Sequence, residues 1–152
     1  MLHHGRQKSV VVGVLLVRLD YRDYLVIFDT NLLIDALSGE QKATDAIESY
    51  KGKESAGITI LSKYELLRGK KFLEQHTLDR LFDNLNLYGL GNDEVEISAE
   101  IYKALKTKGR LIDEFDVLIA GITIANNEKL VTNDKDFKEI KKLGYNNFVV
   151  IE

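Results

Sequence analysis

Cysteine and proline are both absent from the 152 residues. Without cysteine there is no disulfide, no thiolate metal site and no cysteine nucleophile, a composition that suits a reducing cytosol. Without proline, no X-Pro isomerisation can slow folding. A surplus of positive charge is missing as well. Lys and Arg number 21 against 24 Asp and Glu, a formal net charge of −3, so the chain lacks the strongly basic balance common in nucleic-acid binders. Two local basic runs remain: Lys63, Arg68, Lys70 and Lys71, then Lys103, Lys106, Lys108 and Arg110. Each reads equally as a solvated helix face or as a surface for a polyanion. Long apolar runs are lacking too. Val10–Val17 spans only eight residues, against the ~20 that a membrane-crossing helix needs. Arg6 and Lys8 precede it as in a signal peptide, but Arg18, Asp20, Arg22 and Asp23 follow, with no small-residue cleavage site. Neither export nor membrane insertion is expected, and the cytoplasm is the expected location.

What is present is the balance of a globular protein: 45% hydrophobic and 30% charged residues, in a length that fits one domain with a real core. No internal repeat, low-complexity tract or Gly/Ser linker divides the chain. Leu25–Phe28 is a continuous apolar run, as in a strand buried on both faces. Helical patterns follow at Asn31–Leu37 and Gln41–Lys51, then a β-branched strand at Gly57–Leu61. Ser62–Lys71 reads as a helix, with Ser62 and Glu65 spaced as a capping box. Phe72–Asn84 reads as a helix anchored by Phe72, Leu78, Leu81 and Phe82, and Leu85–Leu90 as a strand. Asp93–Lys108 is an amphipathic helix ended by Gly109. Asp113–Asn126 is another, with Phe115, Leu118, Ile119 and Ile122 on one stripe. Lys129–Val131 is a strand, Asp134–Lys142 a short helix and Phe148–Ile151 a last strand. Strands alternating with helices predict an α/β fold, a three-layer α/β/α arrangement around a mostly parallel sheet.

Carboxylates fall at telling places on that scaffold. Asp29 follows the first core strand, Glu65 lies one turn into the helix after the second, and Asp134 lies just past Leu130–Val131. Parallel strands present their carboxyl ends at one edge, where α/β proteins place their sites. Asp116, at about 100° per residue, falls on the shoulder of the Phe115–Ile119–Ile122 stripe, and Asp113 precedes it on the same face. Carboxylates gathered within a few ångströms need raised pKa values or a cation. Hard divalent cations take oxygen ligands, and such an ion suits phosphodiester hydrolysis. Each acid also has a plainer reading. Asp29 could cap the following helix, Glu65 could complete the capping box, Asp116 could answer a helix dipole, and Asp134 could cap the helix through Phe137. The tail residues His3 and His4 and the isolated His76 are not expected to be ligands.

Four segments resemble the PIN-domain ribonucleases, most closely the VapC-like toxins: Val26–Asn31, Ser62–Gly69, Asp116–Ala120 and Leu130–Phe137, in that order. The resemblance implies Asp29, Glu65, Asp116 and Asp134 as metal-binding catalytic carboxylates, oriented by Thr30, Asn31 and Thr132. Asp113 and Asp136 are auxiliary in this reading, with Asp134 preferred over Asp136 as the nearer to the strand end. It further implies Mg²⁺ or Mn²⁺, a homodimer, and a small antitoxin that inserts a segment into the acidic groove. The expected activity is cleavage of single-stranded or loop RNA by a metal-activated water, with Lys63, Arg68, Lys106 and Arg110 as candidate RNA-binding residues. A housekeeping PIN nuclease in RNA processing is the alternative, and a receiver-like Mg²⁺-binding domain a more distant one. Residues 25–152 are expected to form the nuclease domain. Residues 1–24 match nothing in the family and are read as an extension, either an edge strand at Val10–Val17 or a start placed too far upstream.

Overall fold

The computed structural model describes residues 26–51 and 56–152. The readings of residues 1–24, and Leu25 itself, lie outside the described residues. In chain order the elements are β1 (Val26–Phe28), α1 (Thr30–Leu37), α2 (Gln41–Lys51), β2 (Ala56–Thr59), α3 (Ile60–Leu67), α4 (Gln75–Asp83), β3 (Asn86–Tyr88), α5 (Asn92–Thr107), α6 (Glu114–Ala125), β4 (Lys129–Thr132), α7 (Phe137–Lys141) and β5 (Phe148–Val150). At least one helix separates each strand from the next, the connection that parallel pairing demands. The strands form one sheet, ordered β3-β2-β1-β4-β5, and every pairing is parallel.

Alternate side chains of the central strands leave on opposite faces. Val26, Phe28, Ile58 and Val131 pack against Leu32 and Leu33 of α1, Ala43 and Ala46 of α2 and Leu78 of α4. Ile27 and Leu130 pack on the other side, with Ile101 and Leu105 of α5, Ile119 and Ile122 of α6, and Phe137 and Ile140 of α7. Three layers result, as the alternation predicted. Each fully buried Ile or Leu in these layers stabilises the fold by about 1.5–3 kcal/mol.

Several boundaries differ from the sequence reading, each for a local reason. The strand expected over Gly57–Leu61 stops at Thr59, because Thr59 turns the chain into α3. Its Oγ1 accepts from the Ser62 N–H at 3.1 Å. Ser62 is therefore inside the helix rather than at its cap, and the expected Ser62–Glu65 capping box does not form. Phe72 is not an anchor: it is 83% exposed, and α4 starts only at Gln75. Asp113 precedes α6 as its N-cap, with Oδ1 accepting from the Phe115 N–H at 2.8 Å. The last short helix starts at Phe137 rather than Asp134. Asp134 thus stands in the turn before it, free of helix geometry.

Candidate metal centre

The register of β1 on β4 builds the centre. Phe28 pairs with Val131, so the next residue, Asp29, stands beside Thr132, and its N–H donates to the Val131 carbonyl at 3.1 Å. The Thr132 hydroxyl donates to Asp29 Oδ2 at 2.7 Å, and the Thr30 N–H donates to Oδ1 at 2.9 Å. Asp29 is thus both the N-cap of α1 and a buried acid at the strand edge. Thr132 Oγ1 also accepts from the Asp134 N–H at 3.0 Å, so one hydroxyl joins two of the predicted acids. Asp134 Oδ1 in turn accepts from the Asp136 N–H at 2.9 Å.

Glu65 reaches the same edge from α3. Thr30 Oγ1 lies 2.8 Å from Glu65 Oε1 and 2.6 Å from Ser62 Oγ. Thr30 has a single proton to give, and an ionised carboxylate only accepts. Thr30 therefore donates to Glu65, and Ser62 donates to Thr30. Lys70 Nζ stands 3.4 Å from Glu65 Oε2. Asp116, in the first turn of α6, is half-buried as its stripe position predicted.

Burial pushes the Asp29 carboxyl up to about 6. The Thr132 and Thr30 hydrogen bonds oppose the rise, and the charges of Asp134 and Glu65 add to it. Asp116 is pushed up to about 8, first by burial, then by the charges of Asp29, Asp134 and Asp113, and by a hydrogen bond with the Asp134 carboxyl. Asp136 is raised too, by desolvation first and then by Asp134, Glu139 and Asp113. Full ionisation of this edge is therefore opposed by burial and by mutual repulsion, a cost that a bound cation would relieve.

One carboxylate oxygen from each of Asp116, Asp134 and Asp136 lies within 4.8 Å of the others. Oxygens on opposite sides of a Mg²⁺ ion are about 4.2 Å apart, so small side-chain adjustments close this set around a hard cation. The donor set fits such an ion.

The structure brings Asp29, Glu65, Asp116 and Asp134 to one edge, where Thr30 bonds to Asp29 and Glu65 and Thr132 to Asp29. Asn31 is in the first turn of α1, partly buried, with no side-chain hydrogen bond to a described residue. Asp113 is near enough to raise Asp116 while capping α6. Asp136, ranked behind Asp134 from sequence, joins Asp134 and Asp116 directly. Among the candidate RNA-binding residues, Lys63 Nζ sits 5.1 Å from the centre of the Phe82 ring, and the Arg68 guanidinium 5.6 Å from that of Tyr64; Lys106 and Arg110 are exposed. Sequence reasoning did not name Thr59, and it read Ser62 only as a helix cap and Lys70 only as part of a basic run. Thr59 three residues before Ser62 was a readable cap signal, whereas nothing local announces the Lys70–Glu65 pair.

Residues 26–143 match the family described as PIN domain. Ribonuclease VapC1 of Methanocaldococcus jannaschii is 30% identical over 129 residues, which are 84% of this chain and 89% of that protein. A toxin–antitoxin complex from Klebsiella pneumoniae contains a chain of the same fold, with a TM-score of 0.68 and 24% identity, covering 82% of this chain and 96% of that one. VapBC2 of Rickettsia felis, bound to a promoter DNA fragment, offers another, with a TM-score of 0.67 and 23% identity over 84% and 97%. With four acids delivered to one edge of a parallel sheet and a family match across both layers of helices, the chain belongs to the PIN-domain family.

Proposed function

We propose that this chain is a divalent-metal-dependent endoribonuclease, the toxin of a toxin–antitoxin pair, with residues 25–152 as its nuclease domain. The observation that carries the reading is the convergence of Asp116, Asp134 and Asp136 oxygens within 4.8 Å, beside buried Asp29 and Glu65. The 30% identical relative named a ribonuclease supports the activity, and the toxin–antitoxin complexes of the same fold support the partner.

Asp29, Asp116 and Asp134, with Asp136 at the exposed side and Glu65 behind, would hold Mg²⁺ or Mn²⁺. Such an ion supplies positive charge against the phosphoryl oxygens and makes a bound water more acidic. The chain's own residues do the rest. Thr132 aims Asp29 Oδ2 and fixes the backbone of Asp134, while Thr30 and Lys70 hold the two oxygens of Glu65. Asp116 must give up its proton before it can serve as a ligand.

The substrate is single-stranded or loop RNA. Water oxygen forms the new bond to phosphorus, the bond from phosphorus to the 3′-oxygen breaks, and that oxygen takes up a proton. The products carry a 5′-phosphate and a 3′-hydroxyl. The protein is also proposed to act as a homodimer and to be restrained by an antitoxin that sets a basic residue among the acids.

The test is cleavage of a single-stranded RNA by purified protein with Mg²⁺ or Mn²⁺ and with chelator. Cleavage that needs the ion and disappears in Asp29→Asn is expected. No cleavage with either ion, or equal cleavage by Asp29→Asn, overturns the reading.

A further inference from the structure

Next to the acids, the end of α5 and the body of α7 line a cleft of about 350 Å³, formed by Leu105, Lys108, Arg110, Glu139 and Lys142. We propose that this cleft is a phosphodiester-binding subsite that grips the RNA backbone beside the acidic centre; the inference rests on the ribonuclease reading above.

Backbone geometry fixes where two of these cations leave the chain. At the end of α5, Gly109 has a φ of +67°, its N–H donates to the Lys106 carbonyl at 3.0 Å, and the Arg110 N–H donates to the Leu105 carbonyl at 2.8 Å. Those two bonds are the Schellman arrangement, and they set Lys108 and Arg110 on either side of a fixed turn. Leu105, fully buried, floors the cleft. Across it, Lys142 ends α7 and pairs with Glu139 at 3.3 Å.

A plainer account is that cations answer the dipoles of the two helix ends. It covers Lys108 and Lys142, the C-caps of α5 and α7, but not Arg110, which stands beyond the turn. The charges decide between the accounts. Each helix C-terminus carries roughly half a negative charge, and Glu139 carries one. Against Lys108, Arg110 and Lys142 this leaves a surplus of about one positive charge, the complement of one phosphodiester. That surplus sits in a chain whose net charge is −3.

Position favours RNA over an acidic protein. α5 and α6 run antiparallel, since the Asn126 amide at the end of α6 donates to Glu94 at the start of α5 at 3.2 Å. The end of α5 therefore lies at the edge where α6 begins with Asp116. Asp136 and Lys142 bracket α7, about 9 Å apart along its axis at the helical rise, a gap that one or two nucleotides bridge.

The experiment uses the full chain, a fluorescent single-stranded RNA and a salt series, with anisotropy read in chelator and cleavage kinetics in Mg²⁺ or Mn²⁺. Lys108→Gln/Arg110→Gln is expected to raise Kd and KM about tenfold and to flatten the salt dependence by about 0.7 in log–log slope for each phosphate left unneutralised. Glu139→Gln frees Lys142 and is expected to tighten binding; it keeps the inference testable should the double variant fold poorly. Wild-type protein that cleaves RNA, with variants unchanged in KM and salt slope, overturns the subsite and leaves the nuclease reading standing. Wild-type protein that does not cleave RNA overturns both. Unchanged RNA binding with weakened affinity for a polyglutamate peptide assigns the cleft to an acidic protein and overturns the inference.

Discussion

A carboxylate only 4% exposed, as Asp29 is, costs stability whenever it is ionised without a counter-charge. Its folded-state pKa, about 6, lies above the ordinary 3.8. The folded chain therefore binds the proton more tightly than the unfolded chain does, and stability falls as pH rises through that interval. The interval corresponds to about 3 kcal/mol at full ionisation. Asp116, raised to about 8, extends the same loss upward. In chelator, calorimetric stability should decline between about pH 4 and pH 8; Asp29→Asn should reduce the decline below about pH 6, and Asp116→Asn should reduce it over the whole interval and leave little of it above pH 6. A wild-type slope matching both variants would contradict this. Thr132→Val tests the hydroxyl that joins Asp29 to Asp134. It keeps the shape but removes a donor to a carboxylate and an acceptor for a backbone N–H, and should cost about 1–3 kcal/mol. Because that donor lowers the Asp29 pKa, the acid limb of the cleavage profile should move to higher pH in the variant.

At the level of elements, the positions of caps decide which residues face the centre. Thr59 caps α3 through its hydroxyl, so Thr59→Ala should cost about 1 kcal/mol in urea unfolding. Ser62→Ala should leave the cap bond intact while removing the hydroxyl that supports Thr30; its loss should appear in cleavage more than in stability. The α5–α6 crossing depends on Gly121. A Cβ there would run into the Ser98 side chain and stand 2.8 Å from the Glu94 carbonyl. Gly121→Ala should therefore destabilise by at least the 1–3 kcal/mol usual for overpacking, whereas Gly89→Ala, with nothing within 4 Å, should change the urea midpoint little. Element types were legible in the sequence because strands buried on both faces are short apolar runs and helices repeat every 3.6 residues. The boundary at Thr59 was not, because a side-chain bond to the backbone sets it, and neither was the turn before Phe137, where Asp134 Oδ1 accepts the Asp136 N–H.

At the scale of the whole molecule, the proposed function makes cation binding at the acidic edge and folding one linked equilibrium. At pH 8, Mg²⁺ or Mn²⁺ should raise the thermal midpoint, with about 2.7 kcal/mol gained at a concentration 100 times Kd. Asp134→Asn should lose most of that shift, and a wild-type midpoint indifferent to both ions would contradict the linkage. Among the described residues no helix is long and apolar enough to cross a membrane.

The amino-acid sequence by itself determined the α/β class and the alternation of strands and helices, and it singled out Asp29, Glu65, Asp116 and Asp134 as candidates. The class and alternation rest on local periodicity; the four acids rest on their places at strand ends and first helical turns and on the resemblance to the PIN-domain ribonucleases. Only the tertiary structure decided what those acids touch. The Thr132–Asp29 bond spans 103 residues and the Thr30–Glu65 bond 35, and both depend on sheet register and helix placement that no local pattern carries. The same packing gave Glu65 to the centre instead of a capping box, set Lys70 against it, drew Asp136 in beside Asp134, and closed Lys108, Arg110 and Lys142 around one cleft. Register converts distant positions into neighbours, and neighbours alone have chemistry.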